Sequence, residues 1–272
     1  MWRRILPYFS ITAIVLLSTF ALWVPFFLQH DFLTVYKQWD GPLYIIPAKS
    51  LYEIKKMQVP DGGFILSLPL SPGYFAAHLP GYALVIRFFA FFMGYLRAML
   101  ISNVVFTVFL ASFFYYLLIK FKITQKPLLL VTILLFLPRF LVVRATGSPE
   151  SIFMLFILLS LYFHEKENYF ISGLCGALAT ITKLPGLLLL PVFVLSFIEQ
   201  YRQNRSFSLK KLWVLLIPLS IVLVFAFYWY RYGDFFAYFT AQKNNNFQLL
   251  GWYPFAGFDS SKAWIGDAWL EA

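Results

Sequence analysis

The sequence predicts an all-α fold: a polytopic transmembrane helix bundle with a long, ordered extracytoplasmic first loop. Three observations predict it. Hydrophobic residues make up 61% of the 272 and charged residues only 12%, against about 45–50% and about 25% in an ordinary globular domain. A soluble fold with this composition would carry large exposed apolar patches. The apolar residues fall in long runs, and the basic residues behind the formal charge of +10 stand between those runs. In that position they act as topology signals and lipid-headgroup contacts. This arrangement argues against nucleic acid as a partner, since no basic patch lies on a polar domain.

The first helix is read over 5–28, after Arg3 and Arg4. It is longer than the ~7–15-residue apolar core of a signal peptide, and no small-x-small cleavage site follows it. Its arginines place its start on the cytoplasmic side. The loop over 29–80 changes character, with His30, Asp31, Lys37, Asp40, Lys49, Glu53, Asp61, a Gly62-Gly63 pair and prolines at 42, 47, 60, 69, 72 and 80. Loops beyond about 12–15 residues are usually functional or disordered. This one is rich in aromatic and aliphatic residues, which favours order, with short helices on the membrane surface.

Helices are expected over 81–230. Gly81–Tyr95 is short and contains Arg87, so it reads as a re-entrant or interfacial helix or a short span. Runs over 98–119, 127–143, 151–163, 169–181, 187–197 and 212–230 follow. Several fall short of the ~20 residues a straight span needs, which suits broken or bundle-buried helices. If 81–95 does not cross, positive-inside counting puts Arg3/Arg4, Lys120–Lys126, His164–Asn168 and Arg202–Lys211 in the cytoplasm. The loop 29–80, the turns at Arg144–Glu150 and Lys183, and an outer tail over 231–272 are then extracytoplasmic. The tail holds Trp252, Trp264 and Trp269 and no closing span. A single domain that is C-terminally incomplete is therefore expected. Cys175, the only cysteine, can form no intramolecular disulfide and reads as a packing residue.

The sharpest local feature is Gln38-Trp39-Asp40-Gly41-Pro42-Leu43-Tyr44. Gly-Pro makes a tight turn, and Trp39 and Tyr44 suit the membrane interface. Asp40 then faces a cavity near headgroup level, where a positioned carboxylate serves as general base toward a hydroxyl. Its bland alternative is a helix-capping aspartate. Further stretches follow at His78-Leu79-Pro80-Gly81-Tyr82, at Ser148-Pro149-Glu150-Ser151-Ile152-Phe153 and from Gly173 to Gly186.

Together, in this order and spacing over residues 5–240, these stretches resemble the GT-C superfamily of membrane glycosyltransferases, in particular PIG-V-type mannosyltransferase relatives. Trp39-Asp40 with Tyr44 resembles the family's Trp-Asp and Tyr. His78 through Arg87 resembles Phe-Pro-x-Tyr-Pro-x-x-x-Arg. Ser148–Phe153 and Gly173–Gly186 resemble Thr-Glu-Ser-Leu-Phe and Leu-Thr-Arg-Pro-x-Gly. The chain departs from the pattern at Lys183-Leu184-Pro185, where relatives carry Arg-Pro, and at Pro47, and the family is longer. The resemblance implies an inverting displacement in which Asp40 deprotonates an acceptor hydroxyl that attacks a polyprenyl-phosphate sugar. The acceptor is a lipid, a glycan or a protein. A lipid phosphate is the leaving group, and cations stabilise its charge. No cofactor is implied beyond an optional divalent cation, and no metal ligands are assigned.

The candidate cations are Arg87, Arg144 and Lys183. Arg87 also reads as a snorkelling residue and Arg144 as a helix-end marker. Glu150 is either a substrate ligand or a helix-dipole charge. Trp39, Tyr44 and His78 complete the candidate substrate-binding set; His78 is equally a hydrogen-bonded loop residue. Gly233-Asp234 and Gln242 are candidates for the acceptor side. The Gly-x-x-x-x-Gly-Lys and Gly-x-Gly-x-x-Gly loops and an Asp-x-Asp are absent, which disfavours a nucleotide-sugar donor. The competing readings are a transporter or flippase of a lipid-linked substrate, and an inactive truncated relative.

Overall fold

The computed structural model describes residues 2–57, 72–204 and 208–244; the side chains of Arg3 and Arg4, together with Asp61, Gly62-Gly63, Arg205 and the three tail tryptophans, lie outside the described set. The regular structure among the described residues is entirely helical. Four helical stretches are long and apolar enough to cross a membrane: Ile5–Leu28, Tyr95–Lys120, Leu184–Gln203 and Leu209–Tyr232. A fifth span is reached if the bent pair Pro127–Phe136 and Pro138–Ala145 counts as one. The protein is an all-α polytopic bundle.

Helix α1 (Trp2–Leu28) is followed by α2 (Phe32–Lys37), α3 (Gly41–Ser50) and α4 (Ile54–Met57). After a 3-10 turn at Pro72–Ala77 come α5 (Pro80–Met93) and α6 (Tyr95–Lys120). Then follow α7 (Pro127–Leu135), α8 (Pro138–Ala145), α9 (Glu150–Glu165), α10 (Tyr169–Thr182), α11 (Leu189–Asn204), α12 (Leu216–Tyr232) and α13 (Ala237–Asn244). The sequence reads 29–80 as a loop with helices lying on the membrane surface. Instead α3 is buried along almost its whole length. Its residues are apolar on every side, and a helix of that kind packs inside a bundle.

The two ends of the bundle are fixed by side-chain contacts. Tyr8 of α1 packs edge-on against Tyr115 of α6, with ring centres 5.4 Å apart. The Tyr116 and Tyr162 hydroxyls are 2.9 Å apart. His164 and Tyr169 both pack on Phe197 of α11. The turns after α6, α9 and α11 therefore share one end with the start of α1. At the other end, Trp23 of α1 donates to the Ala145 carbonyl at 2.8 Å. Gly81 packs against Thr182, and Gly41 against Gly147.

Helix α5 starts and finishes at this second end, because Gly94, with φ +77°, turns the chain directly into α6. At 14 residues and about 1.5 Å per residue, α5 is too short for a ~30 Å hydrocarbon core. Its Leu84, Phe88, Phe91 and Phe92 are exposed and form a ridge suited to lipid.

The sequence reads 127–143 as one run, but the chain breaks at Phe136-Leu137-Pro138 and α8 leaves α7 at 73°. Proline explains the break: it donates no N–H and clashes with the preceding turn. A broken helix inside a membrane exposes carbonyls that must find partners. Arg144, fully buried, donates Nε to the Leu135 carbonyl at 3.0 Å. Its other nitrogens donate to Thr19 at 2.9 Å and Ser18 at 2.8 Å on α1. Asn103 of α6 donates to the carbonyls of Val143 at 2.7 Å and Thr146 at 2.6 Å.

Substituting Arg144→Leu should lower stability by about 3 kcal/mol, roughly three intramembrane hydrogen bonds at ~1 kcal/mol each. Thermal unfolding of the purified protein in detergent measures this. Arg144→Lys should recover less than half of the loss, since an ammonium cannot reproduce the guanidinium fork.

Candidate functional site

The four sequence stretches meet in two pairs through glycines. A Cβ on Gly41 would lie 2.7 Å from the Gly147 carbonyl oxygen and 2.6 Å from Met99 Sδ. One on Gly81 would lie 2.5 Å from Thr182 Oγ1 and 2.8 Å from the Ile181 carbonyl oxygen. Without side chains, the turns before α3 and after α8 touch backbone to backbone, as do the start of α5 and the end of α10. These contacts bring Asp40, Glu150, His78 and Lys183 to one end of the bundle.

A cavity of about 340 Å³ opens there, lined by Asp40, Tyr44, Tyr74, His78, Lys183 and Tyr238, with Thr182 and Gln242 also on its wall. Asp40 stands directly before α3 and makes no capping hydrogen bond to it. The capping reading thus fails for this residue, and its carboxylate is left to the cavity. Burial among the walls raises the Asp40 pKa above its ordinary value, and Lys183 and then Arg139 oppose that rise. Solvent still reaches the side chain, so it is neither sealed nor fully hydrated. Trp39, just before it, has φ +59°, a left-handed conformation that is uncommon outside glycine and concentrates at functional sites. The Arg139 guanidinium sits over the Trp39 ring, 5.8 Å from its centre.

Lys183 reaches from the end of α10 to Glu150 at the start of α9, with Nζ 2.7 Å from Oε1. Ser148 donates its hydroxyl to the same carboxylate. Both partners of the ion pair keep some exposure, so the pair contributes ~1 kcal/mol or less to stability. Its larger effect is to hold one cation at the cavity wall.

His78 is 9% exposed and its Nδ1 has no hydrogen-bond partner among the described residues. Burial lowers its pKa to about 4, so it is a neutral imidazole near pH 7. Its carbonyl is held by the Tyr52 hydroxyl at 2.5 Å, and its ring by Tyr44, 5.0 Å away and edge-on. The ring is therefore held at the cavity wall with Nδ1 buried.

Two predicted cations are elsewhere. Arg144 is the buried brace described above. Arg87 donates to the carbonyls of Ala48 at 2.8 Å and Lys49 at 3.1 Å, closing the end of α3. Asp234 caps the start of α13 through the Phe236 amide at 2.8 Å and the Thr240 hydroxyl at 2.7 Å, while Gln242 lines the cavity. The sequence reading missed Arg139, Tyr74 and Tyr238. For Arg139 the usable signal was its place directly after Pro138, where a helix must break. Among the described residues, no group of three or more His, Cys, Asp or Glu side chains gathers as a metal-binding set.

No protein-family model, curated protein or solved structure matches the chain.

Because the Gly41–Gly147 contact positions Asp40, Gly41→Ala should destabilise the protein by about 1–3 kcal/mol, the usual cost of overpacking. Melting followed by tryptophan fluorescence measures it. A melting temperature equal to that of the parent would show that the two turns can separate freely.

Proposed function

We propose that the chain is an integral membrane glycosyltransferase. It transfers a sugar, mannose on the family resemblance, from a polyprenyl-phosphate donor to a lipid, glycan or protein hydroxyl. The observation that carries this reading is a carboxylate without a structural bond, facing a cavity that also holds a cation and a neutral imidazole. The cavity volume falls within the ~300–1,000 Å³ of small-molecule sites.

In this mechanism Asp40 accepts the proton of the acceptor hydroxyl as its oxygen bonds to the anomeric carbon. The bond from that carbon to the phosphate oxygen breaks, and its electron pair leaves with the lipid phosphate. Attack opposite the leaving group inverts the anomeric centre. Lys183 and Arg139 offset the phosphate charge as it develops; both already act on Asp40 electrostatically. Arg87 and Arg144 are committed to backbone and hydroxyl partners and have no part in this step. The His78, Tyr44, Tyr74 and Tyr238 rings offer their surface to the sugar. The raised Asp40 pKa suits the role, since a stronger base accepts the hydroxyl proton more readily.

A second reading is a transporter of a lipid-linked substrate. The 73° break between α7 and α8 favours it, because discontinuous helices line transport sites. Against it, Arg144 ties that break to α1 by two hydrogen bonds and to the Leu135 carbonyl by a third, which supports a fixed scaffold.

Asp40→Asn should reduce transfer from polyprenyl-phosphate-mannose by about 10²–10⁴-fold, with protein level and lipid binding unchanged. The base works only when ionised, so parental activity should fall as pH drops through the raised Asp40 pKa, with an acid limb above the ordinary aspartate value of about 3.9. Equal transfer by both proteins would remove Asp40 from the chemistry. Retained lipid movement without transfer would favour the transporter.

We also place the cavity on the extracytoplasmic side of a multi-pass cell-membrane protein, since Lys120, Lys122, Arg202, Lys210 and Lys211 crowd the opposite end. In a Cys175→Ala background, a cysteine at Glu53 should react with a membrane-impermeant maleimide on intact cells. One at Lys122 should react only after the cells are opened; the reverse pattern would invert the topology.

A further inference from the structure

At the end opposite the Asp40 cavity, α11 and the 3-10 turn at Leu209–Leu215 enclose an apolar groove of about 700 Å³. Val194, Ile198, Leu212 and Leu215 line it and are themselves exposed. Both flanking stretches belong to helices apolar and long enough to cross a membrane, so the groove opens toward hydrocarbon. Its cations, Arg202 and Lys211, stand in the last turn of one span and the first turn of the other, at headgroup depth.

Lys211 is the informative residue. It is only 7% exposed, and its Nζ lies 5.0 Å from the centre of the Phe197 ring. Neither Lys211 nor Arg202 has a carboxylate within ion-pairing distance among the described residues. An ammonium set against apolar walls with no counter-charge is only partly offset by one aromatic face. The missing partner is an anion.

We infer that this groove binds one acyl chain of an anionic phospholipid whose phosphate sits between Arg202 and Lys211. The groove is apolar along its length and cationic at one end, the same division that a phospholipid carries. A guanidinium gives paired hydrogen bonds to phosphate, and an ammonium adds a point charge beside it. Its volume lies within the range of single-ligand pockets. A second copy of this chain would have to bring a carboxylate to the same point. The site is independent of the proposed chemistry, which lies at the other end of the bundle, so it can stand or fall without it.

The test is native mass spectrometry of the full chain in neutral detergent, titrated with phosphatidylglycerol or phosphatidylcholine. One phosphatidylglycerol should bind per chain, about tenfold or more tighter than phosphatidylcholine. Arg202→Gln, at the exposed rim, and Lys211→Gln should each weaken phosphatidylglycerol about fivefold, the contribution of one basic residue near an anionic lipid. Lys211→Arg should retain binding. Arg202→Gln keeps the test valid if Lys211→Gln fails to fold. Equal binding of the two lipids, or phosphatidylglycerol binding unaltered in Arg202→Gln, would overturn the inference. So would displacement of the lipid by millimolar inorganic phosphate alone, or a lipid-free dimer as the main species.

Discussion

The architecture depends on how one helix break is satisfied. The α7–α8 run breaks at Pro138, and the 73° bend leaves the Leu135 carbonyl at the end of α7 without a backbone donor. In water that carbonyl would be hydrated, but in hydrocarbon it needs a donor from the protein. Arg144 supplies one and spends its remaining nitrogens on Thr19 and Ser18 of α1. The same break sets the direction of α8, whose last carbonyls are taken by Trp23 and Asn103. Gly147 is thereby delivered to Gly41, and Asp40 stands beside that contact. A buried arginine thus acts on the candidate site through geometry, without contributing charge to the cavity.

The electrostatics of the cavity follow from opposed influences on Asp40. Walls of Tyr44, Tyr74, His78 and Leu184 remove water from Asp40 and favour its protonated form. Lys183 and Arg139 favour the ionised form. Glu150 sets how strongly Lys183 acts, because it holds the ammonium at 2.7 Å. The balance leaves desolvation ahead, so Asp40 is a stronger base than an ordinary aspartate while remaining open to the cavity. Burial shifts neighbouring His78 too, but downward, because the charged form of an imidazole is the protonated one. One desolvating environment therefore yields a basic carboxylate and an uncharged ring side by side.

Much of this was legible in the sequence. The 5–28 span and the α6 and α12 spans followed from unbroken apolar runs, and the convergence of the Asp40, His78, Glu150 and Lys183 stretches was expected from their shared side of the bundle. The break at Pro138 was missed because hydropathy does not register a missing N–H. The burial of α3 was missed because a run of charges on both sides of Gly41–Ser50 reads as a surface segment. Arg87 and Arg144 were harder to place. From sequence, an intramembrane arginine is a functional candidate by default, and only the positions of the Ala48, Lys49 and Leu135 carbonyls show that these two are structural donors. Arg139 was passed over because, without the bend, nothing connects it to Trp39.

What separates Asp40 from the other acids at this end of the bundle is the absence of a local task. Asp31 accepts from the Thr34 hydroxyl at 2.5 Å. Glu53 pairs with Lys56 at 2.7 Å. Glu150 is held by Lys183 and Ser148, and Asp234 caps α13. Each of those carboxylates completes a turn, a helix start or an ion pair. Asp40 does none of these among the described residues, although it stands where a capping bond to α3 was within reach. A carboxylate with a raised pKa and no bonded partner adds nothing to stability, and the left-handed Trp39 before it costs some. A fold that needed only a turn at this point would be more stable with asparagine, which can cap without a charge. The cost is intelligible if the carboxylate is held ready for a proton that arrives with a substrate.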